Sequence, residues 1–444
     1  MKSTYIIFFI LFLDLIAFTI ILPLFPSIIE SYNEQNSSQE QSDYALDYIH
    51  KIMEWIRNKL NMPDRRRYNN VLIGGLLGSL FSLLQFVSSP IIGAFSDVYG
   101  RKKILILSMI GTSISYIIWW KADTFSIFLL SRVVGGLSKG SVTLCTTMIS
   151  DVTTNENRGK GMAFIGLAFS FGFISGPMIG AYFASQVQGT GLANSFTLPA
   201  QVAIAFQMMS LLFAVFLLDE TKITKKETTI SSNLSKALNL INPFNIFTLS
   251  SIKNDKKVAV LKSLTLTNFL YLLFFSGLEF TLTFLTHERF NFTSMQQGKL
   301  FFFAGLIMMI VQGGYVRRVK QNREKKIAMQ GIVAIIPAMM LISVTYSVQI
   351  TYAALLLYSF GAGTVVPCLT SLFTQHTDES DTGESIGILR SAGAFARAIA
   401  PALTCSVYWS FGSFVCYFIG ALLFVIPLVL LRNTIISDVE TKNK

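Results

Sequence analysis

Long apolar runs alternate with short polar stretches from one end of the chain to the other. Six runs, at residues 5–29, 71–96, 104–120, 125–150, 161–184 and 199–218, occupy the first half. Six more follow at 258–286, 297–316, 327–346, 351–373, 384–409 and 411–431. A helix needs about 20 apolar residues to cross a bilayer, so the pattern predicts twelve membrane-spanning helices. The first run exceeds the apolar core of a secretory signal, carries Asp14 near its middle and lacks an A-x-A cleavage site. It is therefore expected to stay in the protein.

The polar stretches set the sidedness. Arg101, Lys102 and Lys103 stand together beside a span, and a cluster of this kind marks the cytoplasmic face. Both termini then fall in the cytoplasm, together with the Lys-rich stretch 219–257 and the cationic loop 317–326. Residues 30–70 form a long outer loop. Within it Ala45, Ile49, Ile52, Met53, Ile56 and Leu60 recur at helical spacing, which predicts an amphipathic helix over 42–60, on the outer leaflet or capping the vestibule. Two glycosylation sequons, at Asn36 and Asn291, fall on the same outer side.

The two halves repeat. A shift of 224 residues places Pro177 on Pro401, Phe171 on Phe395 and Ala168 on Ala392. A repeat at half the chain length is what two parallel six-helix bundles show. The expected fold is an all-α polytopic membrane protein: an N-terminal six-helix bundle at 1–218, a cytoplasmic linker at 219–257 and a C-terminal bundle at 258–444.

Composition agrees. The chain is 52% apolar and 14% charged, against about 25% charged in soluble domains. A net charge of +11 would suggest nucleic acid for a soluble protein, but these cations flank spans, so no nucleic-acid partner is expected. The four cysteines lie inside apolar runs without metal-ligand or disulfide spacing. The three histidines are scattered, and H-E-x-x-H and phosphate-loop patterns are absent. No enzyme, metal site or cofactor is expected.

The stretch between the second and third runs reads G-x-x-x-D-x-x-G-R-K, with Gly93, Asp97, Gly100, Arg101 and Lys102. It resembles the loop between helices 2 and 3 that marks the major facilitator superfamily of transporters. Asp14 followed by Pro23 and Pro26 is similar to the first helix of its tetracycline-efflux branch, and Arg132 to Gly136 is similar to the superfamily's helix 4 motif. Gly172, Gly176, Pro177 and Gly180 match the G-x-x-x-G-P-x-x-G pattern associated with its antiporters. The segments at 67–86, 131–142, 275–290 and 296–302 resemble one animal subgroup related to bacterial tetracycline exporters. The resemblance implies the major facilitator fold and an antiporter of organic anions, amphipathic carboxylates and drug-like molecules among them. It also implies a latch: Asp97 meets the start of helix 11 near Gly383 to Ser385, and Arg101 pairs with Asp151.

Six charges lie within spans: Asp14, Arg132, Lys139, Glu279, Arg390 and Arg397. Each costs about 2.5–3.5 kcal/mol at mid-bilayer on insertion scales, so each needs a partner or water. Four cations against two carboxylates favour an anionic substrate. Lys139, Arg397 and Arg390 are the expected substrate contacts. Arg132 and Lys139, seven residues apart, are expected on one helix face. Asp14 is the first proton-coupling candidate, alternating between a buried setting and one beside Arg132, and Glu279 is the second. The expected partners are a small organic anion, a proton or counter-anion, and the lipid bilayer, with the protein a monomer in the cell membrane; the nuclear envelope or another internal membrane is the alternative. The competing functions are a cation or drug–proton antiporter of the tetracycline-efflux type, and a non-transporting membrane scaffold.

Overall fold

The computed structural model describes residues 2–37, 43–59, 68–153, 158–186, 196–221, 230–248, 255–318, 323–377 and 382–434, which hold helices and no strand. Lipid offers no partner to a backbone N–H or C=O, so a spanning segment must satisfy its own, and the helix does so. Eleven helical segments among the described residues are long and apolar enough to cross a membrane.

α1 (Lys2–Thr19) runs through a short 3-10 turn at Leu22–Leu24, where Pro23 removes a donor, into α2 (Phe25–Ser37). α3 (Tyr44–Lys59) is the amphipathic helix of the long loop. It buries Leu46 and Met53 and leaves Tyr44, Tyr48 and Trp55 exposed. Asp43 caps it, accepting from the amides of Ala45 and Leu46, and also accepts from the amide of Ser126. α4 (Asn69–Tyr99) and α5 (Arg101–Trp120) meet at Gly100.

The fourth expected span is broken. α6 (Phe125–Ser138) and α7 (Ser141–Val152) are separated at Lys139, whose ψ of 77° leaves the helical region. The break corrects the expectation that Arg132 and Lys139 share a helix face, because that argument requires an uninterrupted helix. α8 (Arg158–Gln186) and α9 (Thr197–Phe216) complete the first half. The polar stretch that follows is itself partly helical, with α10 (Ile230–Ile241) and α11 (Pro243–Thr248).

The second half holds α12 (Asp255–Phe290), α13 (Ser294–Ile310), α14 (Glu324–Val344), α15 (Val348–Gln375), α16 (Thr382–Phe411), α17 (Ser413–Leu423) and α18 (Val425–Asn433). A capping box at Thr293 and Gln296 starts α13, and a π turn at Val311–Tyr315 ends it. Pro177 lies inside α8 and Pro401 inside α16, the pair that the offset of 224 relates. α16 is 30 residues long, carries Arg390 and Arg397, and packs against α4 and α12, but is not one of the eleven.

The most extensive contacts between the halves are α4 with α16 and α8 with α13, and α12 also meets α2 and α4. The first two pairs use glycines for close approach. A Cβ on Gly75 would stand 2.6 Å from Cys405 Sγ and 2.9 Å from the Pro401 carbonyl, and one on Gly298 would stand 2.6 Å from Ala181 Cβ. Within the first half, Gly172, Gly176 and Gly180 of α8 lie against α1 at Leu15, Thr19 and Ile20. A Cβ on Gly176 would collide with Thr19 Oγ1, and one on Gly180 with the Ile20 carbonyl. Thr19 completes this contact by donating its hydroxyl to the Gly172 carbonyl at 3.0 Å.

For orientation, the end carrying Arg101 to Lys103 is called the basic end and the end carrying α3 the distal end. Gly176→Leu is expected to destabilise the protein by about 1–3 kcal/mol through overpacking. Thermal unfolding in detergent measures this, and Gly166→Leu, where a Cβ meets nothing within 4 Å, is the control expected to leave the midpoint unchanged.

Candidate functional site

The most buried charge of the first half is Asp14. Its side chain is 0% exposed, and Lys139 Nζ, 2% exposed, lies 2.7 Å from its Oδ2. The Ser141 hydroxyl donates to the same oxygen at 2.7 Å. Oδ1 has no hydrogen-bond partner among the described residues. The helix break produces this arrangement, since it swings Lys139 out of α6 and sets Ser141 at the first turn of α7 beside the carboxylate. The positive end of α7 then adds to the neutralisation of Asp14. Lys139 also sits over the Phe18 ring, 5.0 Å from its centroid. The structure thus pairs Lys139 with Asp14 and takes it out of direct reach of a ligand. Arg132 is not the partner of Asp14.

Arg132 is 4% exposed. Its guanidinium lies between the rings of Trp119 and Phe128, at 5.6 and 5.3 Å from their centroids. Nε donates to Ser131 Oγ at 3.2 Å, and Nη2 has no partner among the described residues. Aromatic faces stabilise a buried cation in this setting.

In the second half, Glu279 of α12 accepts from Tyr358 Oη of α15 at 2.7 Å. Arg397 acts electrostatically on Glu279, and Arg390 and Arg397 repel one another. Among the described residues neither arginine has a hydrogen-bond or ion-pair partner. Both lie deep in the protein, yet both are solvent-accessible between buried neighbours on α16. The two stand about 10 Å apart along the helix.

At the basic end Arg101 is the centre of a network. Its Nε lies 3.1 Å from Asp151 Oδ2, Nη2 lies 2.8 Å from Asp97 Oδ1, and Nη1 donates to Ser96 Oγ at 2.6 Å. Glu220, just beyond α9, accepts from the Arg101 amide at 2.8 Å and caps α5. Gly100 has φ 101°, and a Cβ there would lie 2.6 Å from Glu220 Oε2, so both the backbone angle and the space call for glycine. Lys102 donates to the Val215 carbonyl at 2.9 Å, and Gly93 faces Thr143 of α7. The side chains at the start of α16, where Asp97 is expected to dock, lie outside the described residues.

Of the sequons, Asn36 is engaged: its Nδ2 donates to Asp47 Oδ1 at 2.7 Å and its Oδ1 accepts from the Asp43 amide at 2.9 Å. Its hydroxyl residue, Ser38, lies outside the described residues. Asn291 is exposed in the turn between α12 and α13, with φ 51°. Ser141, Tyr358 and Glu220 were missed in the sequence reading. Ser141 had a signal, lying two residues beyond a lysine in a glycine-rich stretch of an apolar run; the other two had none.

Helices long and apolar enough to cross a membrane, with Asp14, Arg132 and Lys139 buried among them, define a polytopic membrane protein. The chain belongs to the Major Facilitator Superfamily, whose family profile matches residues 7–401. That is a family of transporters and not a class of enzymes. The chain is 40% identical over 435 residues to major facilitator superfamily domain-containing protein 10 of Bos taurus, covering 96% of this chain and 92% of the relative. The Homo sapiens protein of that name is 38% identical over 439 residues, covering 96% and 92%. A crystal structure described as the human organic anion transporter MFSD10 (TETRAN) superposes with a TM-score of 0.79 at 38% identity, covering 97% of this chain and 99% of that one. Escherichia coli tetracycline resistance protein, class E, is more distant, 26% identical over 374 residues that cover 81% of this chain and 84% of that protein.

Removing one partner of a buried pair leaves a charge without compensation. Lys139→Met is therefore expected to cost about 3–5 kcal/mol of stability, and adding Asp14→Asn should recover most of it. Melting of the single and double variants in detergent checks this coupling; equal losses from the two changes, simply adding, would refute it.

Proposed function

We propose that the protein carries organic anions across a membrane by alternating access, coupled to a proton or a counter-anion. The observation that supports it best is the pair of guanidiniums, Arg390 and Arg397, exposed on α16 with no hydrogen-bond or ion-pair partner among the described residues. An unpaired cation beside water is unspent binding capacity, and arginine grips a carboxylate with two parallel hydrogen bonds. The crystal structure of the human relative, described as an organic anion transporter, agrees with this charge logic.

In this reading residues 1–218 and 258–444 are the two rocking halves, 219–257 is the linker, and the basic end faces the cytoplasm. The Asp14–Lys139 pair is the coupling element. A proton arriving at the open Oδ1 of Asp14 cancels the ion pair and frees Lys139 for an anion. Glu279, bonded to Tyr358 and close to Arg397, is the second protonation candidate. The network of Asp97, Arg101 and Asp151 closes the basic end, and Asp97 docks on the start of α16 in that state.

Uptake of a labelled amphipathic carboxylate into proteoliposomes, with and without a pH gradient, tests the proposal. Charge-assisted hydrogen bonds contribute about 1.5–3 kcal/mol, so Arg397→Gln should raise KM roughly tenfold or more. Asp14→Asn should retain binding and lose the drive from the gradient. Uptake unchanged by Arg397→Gln and Arg390→Gln, with transport of an organic cation, would favour the cation–proton antiporter. No uptake of anions or cations by folded protein would leave the scaffold.

A further inference from the structure

At the distal end an ion pair crosses from one half of the fold to the other. Glu30 stands on α2, His287 stands near the end of α12, and Nε2 of the ring lies 3.0 Å from Glu30 Oε2. The other ring nitrogen, Nδ1, lies 3.1 Å from the Phe292 carbonyl oxygen. Both neighbours are acceptors only. A neutral imidazole has one donor nitrogen and one acceptor nitrogen, so either neutral tautomer points a lone pair at an oxygen. With Glu30 ionised, the doubly protonated ring is the form that satisfies both contacts. The geometry is that of a bound proton.

The surrounding groups do not compete for this role. Glu288 accepts from Tyr408 Oη of α16 at 2.7 Å. Arg289 donates to the carbonyls of Ile342, Ser343 and Thr345. α4 brings Asn69 and Asn70 to this end, α15 brings Tyr352 and α17 brings Ser413, none of them charged in the neutral range. Glu34 on α2 and Lys299 on α13 are exposed. His50 of α3 contacts Asn33 Oδ1 at 2.8 Å, and burial pushes its ring below the usual histidine range.

We propose that Glu30 and His287 form a proton-binding site that holds the distal end closed during the transport cycle. The proposal rests on the alternating-access reading above. Both side chains are partly exposed, at 44% and 30%, so the site equilibrates with the distal solution. Protonation of the ring forms the pair and favours closure; as pH rises through the histidine range the pair is lost and the distal end opens more readily. Neighbouring contacts across the same interface do not titrate in that range: Phe25 meets Phe280 with centroids 5.8 Å apart, and Trp409 Nε1 donates to Asn69 Oδ1 at 3.0 Å. The proton site therefore biases the closed state and does not hold it alone.

Spin labels on Tyr44→Cys and Tyr346→Cys, both well exposed at the distal end, report the separation of the halves. The four native cysteines are buried and leave the labelling selective. Distances are measured by pulsed electron resonance on the full chain in nanodiscs at about pH 5.5 and about pH 8, on either side of the histidine range. The closed-to-open ratio should fall roughly two- to fivefold between them, the size of a partly exposed ion pair. His287→Ala and Glu30→Gln should show the higher-pH distribution at both values, and His287→Arg, a permanent cation, the lower-pH distribution at both. A wild type that ignores pH, or a His287→Ala variant that keeps the wild-type response, overturns the proposal. If added carboxylate substrate still shifts the distances in either case, alternating access survives; if neither pH nor substrate shifts them, both readings fall.

Discussion

Asp14 has no access to solvent, and three helices are shaped by the need to neutralise it. α6 and α7 part at Lys139 so that its ammonium can reach the carboxylate, at the cost of helical hydrogen bonds in the middle of a span. The break sets the first turn of α7 beside Asp14, where the Ser141 hydroxyl and the helix dipole add to the neutralisation. α8 presses its glycines onto α1 from Leu15 to Ile20, immediately after Asp14. That contact fixes the backbone that aims the carboxylate. The charge, the break and the glycine ridge form one arrangement, and substitution at any of them acts on the others.

The second half repeats the geometry with different chemistry. Its opening helix also carries a carboxylate, Glu279, bonded to the helix that corresponds to α6 and α7. The partner there is a tyrosine hydroxyl and not an ammonium. The remaining cations lie on α16, where Arg390 and Arg397 are exposed with no partner among the described residues. The first half instead pairs Asp14 with Lys139 and sets Arg132 between two aromatic rings.

Features that depend on local periodicity were legible in the sequence: the spans, the amphipathic α3, and the repeat that places Pro177 on Pro401. Each follows from a pattern within a few helical turns. The close packing of glycines was legible as well, because small residues at spacing four imply contact whatever the neighbour. The pairing of Lys139 was not. Seven residues from Arg132 on an unbroken helix, it should share a face with that arginine, and only the break shows otherwise. The glycines at 135, 136 and 140 are the sole trace of that break in the sequence. Glu220 and the Glu30–His287 contact were invisible for a different reason: their partners lie more than a hundred residues away, and no periodicity links them.

The distal proton site and the buried charges lie on the same two rods. α1 and α2, joined through the short turn at Pro23, carry Asp14 and Glu30, roughly 24 Å apart along the axis. α12 carries Glu279 and His287, roughly 12 Å apart on one unbroken helix. α12 is unbroken between Glu279 and His287, whereas the 3-10 turn at Leu22–Leu24 stands between Asp14 and Glu30, so a change in how the helices meet at the distal end reaches Glu279 more directly than Asp14. In the proposed cycle the distal pair and the core carboxylates are linked through these shared helices, without any continuous chain of hydrogen bonds between the sites.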